Sequence, residues 1–219
     1  MAASRLTALQ RDFLAAFFQR ERSFFLTGGG ALSGFHLAHR ETYDLDLFTT
    51  SDTMDSGVEA LAGSARALGG SLEAIQTSPD FRRFLLTRGN DSIRIDLVRE
   101  RAPQVIVDKP EREGIRVDPP EEILANKLCA LLSRLEIRDL VDVLKLEEAG
   151  YRVDDALEAA HRKDAGLTPA QLAWVLSQIE IGKDAVVPGE VSLENLRRYL
   201  KGLIDRLSHL AFPSDRTGQ

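Results

Sequence analysis

The sequence has a single cysteine, Cys129, so no internal disulfide can form and a reducing compartment is the default setting. It has no apolar run long enough to cross a bilayer. The stretches at residues 13–18 and 24–26 fall far short of the roughly 20 residues a spanning helix needs. The start of the chain carries Arg5 and Arg11 and lacks an apolar core with a small-residue cleavage site, so no signal peptide and a cytoplasmic location are expected. Its four histidines, His36, His39, His161 and His209, show no metal-ligand spacing with the cysteine or with one another. No G-x-S-x-G or Ser-His-Asp arrangement is present, which removes the usual serine-hydrolase signatures. Positive charge is not in excess either. A net charge of −6 argues against a nonspecific nucleic-acid coat. Local basic groups remain: Arg82, Arg83, Arg88, Arg94, Arg99 and Arg101, and further on Arg197, Arg198 and Lys201.

What is present is ordinary globular material: 219 residues, 43% hydrophobic and 28% charged, enough for one domain or a pair of small ones. There is no internal repeat and no low-complexity tract. Apolar periodicity predicts a helix over residues 6–19, then a short aromatic strand over 24–27 ending at glycine, and a helix over 31–38. Residues 43–48 alternate Asp and Leu with the period of a strand. A helix over 58–68 closes at Gly69-Gly70, and strands are expected over 71–76, 82–87 and 92–98, with Asn90 and Asp91 at a turn. Residues 104–107 and 114–117 read as short extended pieces. At Asp118-Pro119-Pro120 the character changes, and Glu121 and Glu122 suit the first turn of a helix. Helical patterns then run over 121–135, 139–149, 153–162, 169–180 and 193–207. The expectation is an α/β (α+β) unit with a mixed sheet over residues 1–117, followed by a helical bundle over 118–219 with frayed last residues.

Two features point to chemistry. The first is Gly28-Gly29-Gly30 between a strand and a helix, a turn that lets backbone N–H groups approach an anion. A plain strand-to-helix turn reads equally well. A Walker loop is excluded because no Gly-Lys-Ser/Thr follows, and the dinucleotide fingerprint fails at Ser33, where its third glycine belongs. The second feature is Asp44 and Asp46, alternate residues that share one strand face while Leu45 and Leu47 face the core. Two carboxylates this close resist joint ionisation unless a cation joins them, and Mg²⁺ commonly takes one or two carboxylates plus substrate phosphates. A solvated strand end is the bland reading. In residues 93–98, Ile93, Ile95 and Leu97 suit a core face, which turns Asp96 outward. It would complete a three-carboxylate, two-metal cluster, or else pair with Arg94 or Arg82.

Glycine turn, D-x-D strand and later strand carboxylate together resemble the polymerase-β-like nucleotidyltransferases over residues 24–98. The fuller pattern, Gly28, Gly29, Ala31 and Leu32 followed by Arg40, Thr42, Asp44 and Asp46, is similar to the AbiEii/AbiGii toxin family. Gly30 stands where that family often has Thr or another small residue. The helical half extends the likeness to about residue 146, with Pro120, then Lys127, Leu128, Ala130, Leu131 and Arg134, then Arg138, Asp139 and Asp142.

Without the likeness, residues 118–146 read as a helical hairpin with surface ion pairs, in which Arg138 can reach Asp142. Cys129 and Trp174 read as packed residues of the helical half. The resemblance implies more: a bundle closing one side of a cleft, and transfer of a nucleoside monophosphate from an NTP to an acceptor with release of pyrophosphate. It implies Mg²⁺ or Mn²⁺ on Asp44, Asp46 and, as third ligand and base, Asp96. Gly28, Gly29 and Thr42 would contact the nucleotide. Lys127, helped by Arg134 or Arg138, would grip the triphosphate, and Asp139 would position Lys127 or act as a base. The implied acceptor is RNA, tRNA in particular, within a toxin–antitoxin or phage-defence pair with a cognate antitoxin. A small-molecule acceptor, as in antibiotic-modifying enzymes, and a catalytically silent protein-binding module on the same fold are the alternatives.

Overall fold

The computed structural model describes residues 4–212. The chain divides into two units: residues up to Arg101 with Ile106–Pro119, and Ala102–Val105 with the chain from Pro120 onward.

The first unit opens with α1 (Ala8–Phe18), started by a capping box in which Thr7 and Gln10 satisfy each other's backbone N–H groups. Its buried face carries Phe13, Phe17 and Phe18, and Phe17 meets Phe24 of β1 (Phe24–Thr27) edge-on at 5.7 Å. The chain then turns at once into α2 (Gly28–Ala31), which continues as a π-turn over Leu32–His36. The helix therefore begins three residues before the one expected at 31–38, because Gly28, at φ +60°, makes the turn that a side chain would resist. Strand β2 (Asp44–Thr49), α3 (Met54–Ala67), β3 (Ser71–Thr77), β4 (Phe81–Arg88) and β5 (Asp91–Arg99) complete the sheet.

The sheet order is β1-β2-β5-β4-β3, with β2 and β5 parallel and the other neighbours antiparallel, so it is mixed as the sequence suggests. Strict alternation gives it two faces. Leu45, Leu47, Ile93, Ile95, Leu97, Phe84 and Leu86 are buried on one face. Helices α1 and α3 cover that face: Phe17 sits on Phe24, and Gly57 of α3 leaves so little room that a Cβ there would lie 2.5 Å from Phe24 and 3.4 Å from Leu97. The aspartates of β2 lie on the other face.

A strap returns along the free side of β1. Val117 bridges Leu26, the Asp118 N–H donates to the Leu26 carbonyl at 2.8 Å, and β6 (Glu111–Arg112) and β7 (Ile115–Arg116) form a short hairpin before it. Lys109 and Asp118 pair at 2.9 Å in full burial, with the ammonium 4.8 Å from the Phe25 ring centroid. The extended piece expected at 104–107 is not a strand. Val105 instead donates its N–H to Glu122 Oε2 at 2.8 Å within the helical unit.

The helical unit comprises α4 (Pro120–Arg134), α5 (Ile137–Glu148), α6 (Val153–Lys163), α7 (Pro169–Ser177) and α8 (Leu193–Ala211). Leu135 ends α4 by taking a left-handed φ of 50°. Glu122, read from sequence as a first-turn acid, is buried and pairs with Lys163 of α6 at 2.6 Å, tying α4 to α6. Glu147 of α5 accepts from Tyr199 and Arg206 of α8, each at 2.7 Å. Burial pushes its carboxyl up, but these bonds outweigh that and leave its pKa below the ordinary glutamate value. Cys129 is half-buried, its thiol donating to the Ala160 carbonyl at 3.5 Å.

Trp174 corrects the sequence reading. It is 61% exposed, because α7 turns Leu172, Ala173, Val175 and Leu176 inward and leaves residue 174 on the outer side. As the protein's one tryptophan, it should be quenched by added iodide as readily in the native state as in urea. A native emission shielded from iodide would contradict its placement.

Candidate active site

The acidic face of the sheet is built by register. Thr27 of β1 stands beside Asp46, Asp46 beside Asp96, and Asp96 beside Arg83, so one row crosses β1, β2, β5 and β4. The next row pairs Asp44 with Arg94. Direct opposition of Asp46 and Asp96 is a like-charge cross-strand pair, unfavourable by itself. Two arginines offset it. Arg83 grips Asp96 as a fork, Nε to Oδ1 at 2.8 Å and Nη2 to Oδ2 at 2.7 Å. Arg94 Nη2 donates to Asp44 Oδ2 at 2.9 Å. The bond to Asp96, with smaller help from Asp46 and Asp44, holds Arg83 above its ordinary pKa.

Support reaches this face from its edge. Thr42 donates its hydroxyl to Asp44 Oδ1 at 2.9 Å, and the Thr42 carbonyl accepts from Gln10 Nε2 of α1 at 2.9 Å. The capping residue of the first helix thus also fixes the approach to β2. The glycines are explained by what surrounds them. A Cβ on Gly28 would lie 2.5 Å from Asp46 Oδ2; one on Gly29 would lie 2.9 Å from Arg40 Nη2 and 3.2 Å from Thr42 Oγ1. Gly30 faces Leu26 and Leu45. Gly28→Ala combines that collision with a left-handed φ, so it should cost more than about 1 kcal/mol and displace the Asp46 carboxylate. Urea denaturation checks the cost; an undiminished midpoint would contradict the packing.

The helical unit holds a second charged cluster, described on its own. Lys127 of α4 donates to Asp139 Oδ1 at 2.6 Å and pairs with Asp142 Oδ2 at 2.7 Å, both on α5. Arg134 donates to both oxygens of Asp139, at 2.8 and 3.0 Å. Both aspartates are fully buried and the Lys127 side chain is 8% exposed. Burial pushes Lys127 toward the neutral form, yet Asp142 and Asp139 outweigh it and leave its pKa raised. Burial likewise pushes Asp139 up, and Lys127 and Arg134 overturn this, leaving it lowered. Arg138 pairs with Glu136, and its side chain, like that of Arg134, stays well exposed at 39% and 46%.

The structure therefore gathers Asp44, Asp46, Asp96, Thr42, Gly28 and Gly29 in the first unit, and Lys127, Arg134 and Asp139 in the second. Asp96 pairs with Arg83, where the sequence reading weighed Arg94 or Arg82. The sequence reading set the turn at Asn90-Asp91; the structure closes it at Gly89-Asn90, which puts Arg88 opposite Asp91 and, counting outward, Arg83 opposite Asp96. Among the described residues, no three acidic, histidine or cysteine side chains stand ready as a metal cage. Both Asp96 oxygens are in the Arg83 fork, and Asp44 gives one of its own to Arg94.

Solved structures share this fold. A protein from H. pylori described as a nucleotidyltransferase superposes with a TM-score of 0.59 at 17% identity, covering 95% of this chain and 96% of that one. JHP933 from Helicobacter pylori gives 0.57 at 20% identity over 94% and 93% of the two chains. The nucleotidyltransferase toxin MenT4 (Rv2826c) of Mycobacterium tuberculosis H37Rv gives 0.58 at 12% identity over 91% and 82%. A search of curated proteins finds no match. No helix among the described residues is long and apolar enough to cross a membrane. Residues 12–215 match the family described as nucleotidyl transferase AbiEii toxin, type IV toxin–antitoxin system, and the chain, a nucleotidyltransferase, belongs to that family.

Proposed function

We propose that this nucleotidyltransferase moves an NMP from an NTP to RNA, tRNA in particular, as the toxin of a toxin–antitoxin or phage-defence pair. The observation that carries the site is the placement of Asp44 and Asp46 on the sheet face away from α1 and α3, with Gly28 bare of a side chain against Asp46. The donor chemistry fits a hard divalent cation, Mg²⁺ or Mn²⁺: two carboxylates on alternate residues of β2, with Gly28 bare of a side chain beside Asp46. Asp44 and Asp46 would hold it, and when bound it supplies neutralisation of the triphosphate charge.

The chain's own groups do the rest. Thr42 holds the Asp44 carboxylate in one orientation through its 2.9 Å bond. Gly28 and Gly29 offer backbone N–H groups to phosphate oxygens, which the absence of side chains lets approach. In the helical unit, Lys127 is the phosphate-directed cation, held charged by Asp139 and Asp142, and the exposed guanidiniums of Arg134 and Arg138 add donors for nucleotide phosphates. Asp139 positions Lys127.

The type IV family assignment supports a cognate antitoxin as partner. The arginines of β4 and β5 each pair with an aspartate, so the RNA acceptor is supported by the family assignment and not by an open basic patch. The test is incubation with each α-labelled NTP, Mg²⁺, and either total RNA or a panel of small hydroxyl and amine acceptors. Label in RNA, tRNA above all, is the expected result. Label confined to a small molecule would overturn the acceptor while leaving the reaction class standing.

A further inference from the structure

We infer that Arg83 is a phosphate-binding side chain of this site, and that Asp96 is its positioning residue rather than a third metal ligand. The inference rests on the nucleotidyl-transfer reading above and refines it.

Asp96 is the closed member of the pair. Its side chain is 8% exposed and both its oxygens accept from Arg83, at 2.8 and 2.7 Å. Arg83 is the open member, with 32% of its side chain exposed. A guanidinium carries donors on Nε, Nη1 and Nη2, and the fork onto Asp96 takes Nε and one N–H of Nη2. The Nη1 amino group and the second N–H of Nη2 bond no acceptor among the described residues. The guanidinium is steadied on a second side by the Phe81 ring, whose centroid lies 5.2 Å away. An arginine fixed by a bidentate carboxylate and an aromatic ring, with its remaining donors open, is preorganised for a second anion.

Its location supplies that anion. Arg83 lies in the row that contains Asp46, on the sheet face away from α1 and α3. An Asp96 without Arg83 would add a second negative charge to this row and repel a triphosphate. With Asp96 held in the fork, Arg83 contributes positive charge to the phosphates. Arg→Lys is not conservative here, because an ammonium cannot hold both Asp96 oxygens in a planar fork and still present donors outward.

The test separates the two assignments by binding rather than turnover. Calorimetry with each of the four NTPs in Mn²⁺, and Mn²⁺ alone followed by paramagnetic resonance, are run on wild type, Arg83→Ala, Arg83→Lys and Asp96→Asn. Thermal melts accompany each variant. Arg83→Ala is expected to weaken NTP binding at least tenfold while Mn²⁺ binding stays within threefold, and Arg83→Lys to recover only part of the loss. Asp96→Asn is expected to keep Mn²⁺ binding within threefold and to weaken NTP binding less than Arg83→Ala does. Should Arg83→Ala fail to fold, Arg83→Lys and Asp96→Asn decide the matter on the same readouts. Loss of Mn²⁺ binding in Asp96→Asn, or NTP affinity unchanged or tightened on altering Arg83, would overturn the assignment and restore Asp96 as a ligand. A wild-type protein that binds no NTP would overturn the nucleotidyl-transfer reading itself, a result distinct from either.

Discussion

Asp46→Asn is expected to lower nucleotidyl transfer by about 10³-fold and to leave the protein folded and at least as stable as the parent. The two halves of this result have separate causes. Activity falls because Asp46 is one of the two carboxylates proposed to hold the cation that neutralises the triphosphate, and losing one such electrostatic contributor typically costs ~10²–10⁴ in rate. Stability holds because Asp46 lies directly opposite Asp96 on the parallel neighbour strand, a like-charge pair that the asparagine removes. Cross-strand pairs of this kind are worth roughly 0.2–1 kcal/mol, so the urea midpoint should stay level or rise. A residue whose importance was structural would behave the opposite way, with activity and stability falling together.

Lys127→Met is expected to be the most destabilising of the single changes considered, at about 3–5 kcal/mol. It removes the ammonium that Asp139 and Asp142 both face, and both carboxylates have no exposed surface. Arg134 still donates to Asp139 in this variant. Replacing Lys127, Asp139 and Asp142 together by well-packed Met and Leu should recover most of the stability, because a buried ion cluster and an apolar one of equal volume are often close in free energy. Transfer activity should not return in that triple variant. Recovery of both would mean that the cluster only holds α4 against α5 and plays no part in catalysis.

The same cluster sets a pH dependence whose sign follows from the shifts. Asp139 has a folded pKa below its unfolded value, so its contribution is complete above the unfolded value near ~3.9 and is lost as pH falls through the lower folded value. Lys127 is raised, so its contribution is complete below the unfolded value near ~10.4 and is lost as pH rises through the folded one. Stability is therefore expected to be flat between these limits and to fall at both ends. In Lys127→Met the largest cause holding Asp139 low is gone, so the acid-side loss should shrink. Chemical denaturation at a series of pH values checks both statements.

Much of this was readable from residue order. Alternation in Asp44-Leu45-Asp46-Leu47 places two acids on one face and two leucines in the core, and β2 has that burial pattern. The change at Pro119-Pro120 marks where α4 starts, since proline suits a helix's first position and resists continuing a strand. What escaped depends on partners distant in the chain. Glu122 looks like a dipole-matched surface acid, and only the fold shows Lys163 beside it. Nothing local in the sequence announces that the Gln10 amide of α1 reaches the Thr42 carbonyl. Trp174 looks like core because large aromatics usually are, but periodicity within a short helix could not say which side its neighbours cover. For Arg83, five arginines crowd one hairpin, and only the register from the Gly89-Asn90 turn singles out the one opposite Asp96.

The most direct measurement compares two labels on the same nucleotide. Wild-type protein is given an NTP carrying either an α- or a γ-phosphate label, with Mg²⁺ and total RNA, beside Asp46→Asn. Transfer of a nucleoside monophosphate predicts that α-label enters RNA, that γ-label leaves only as pyrophosphate, and that the variant does neither. Label from the γ-phosphate appearing in the acceptor, or α-label entering it undiminished in Asp46→Asn, would contradict the account.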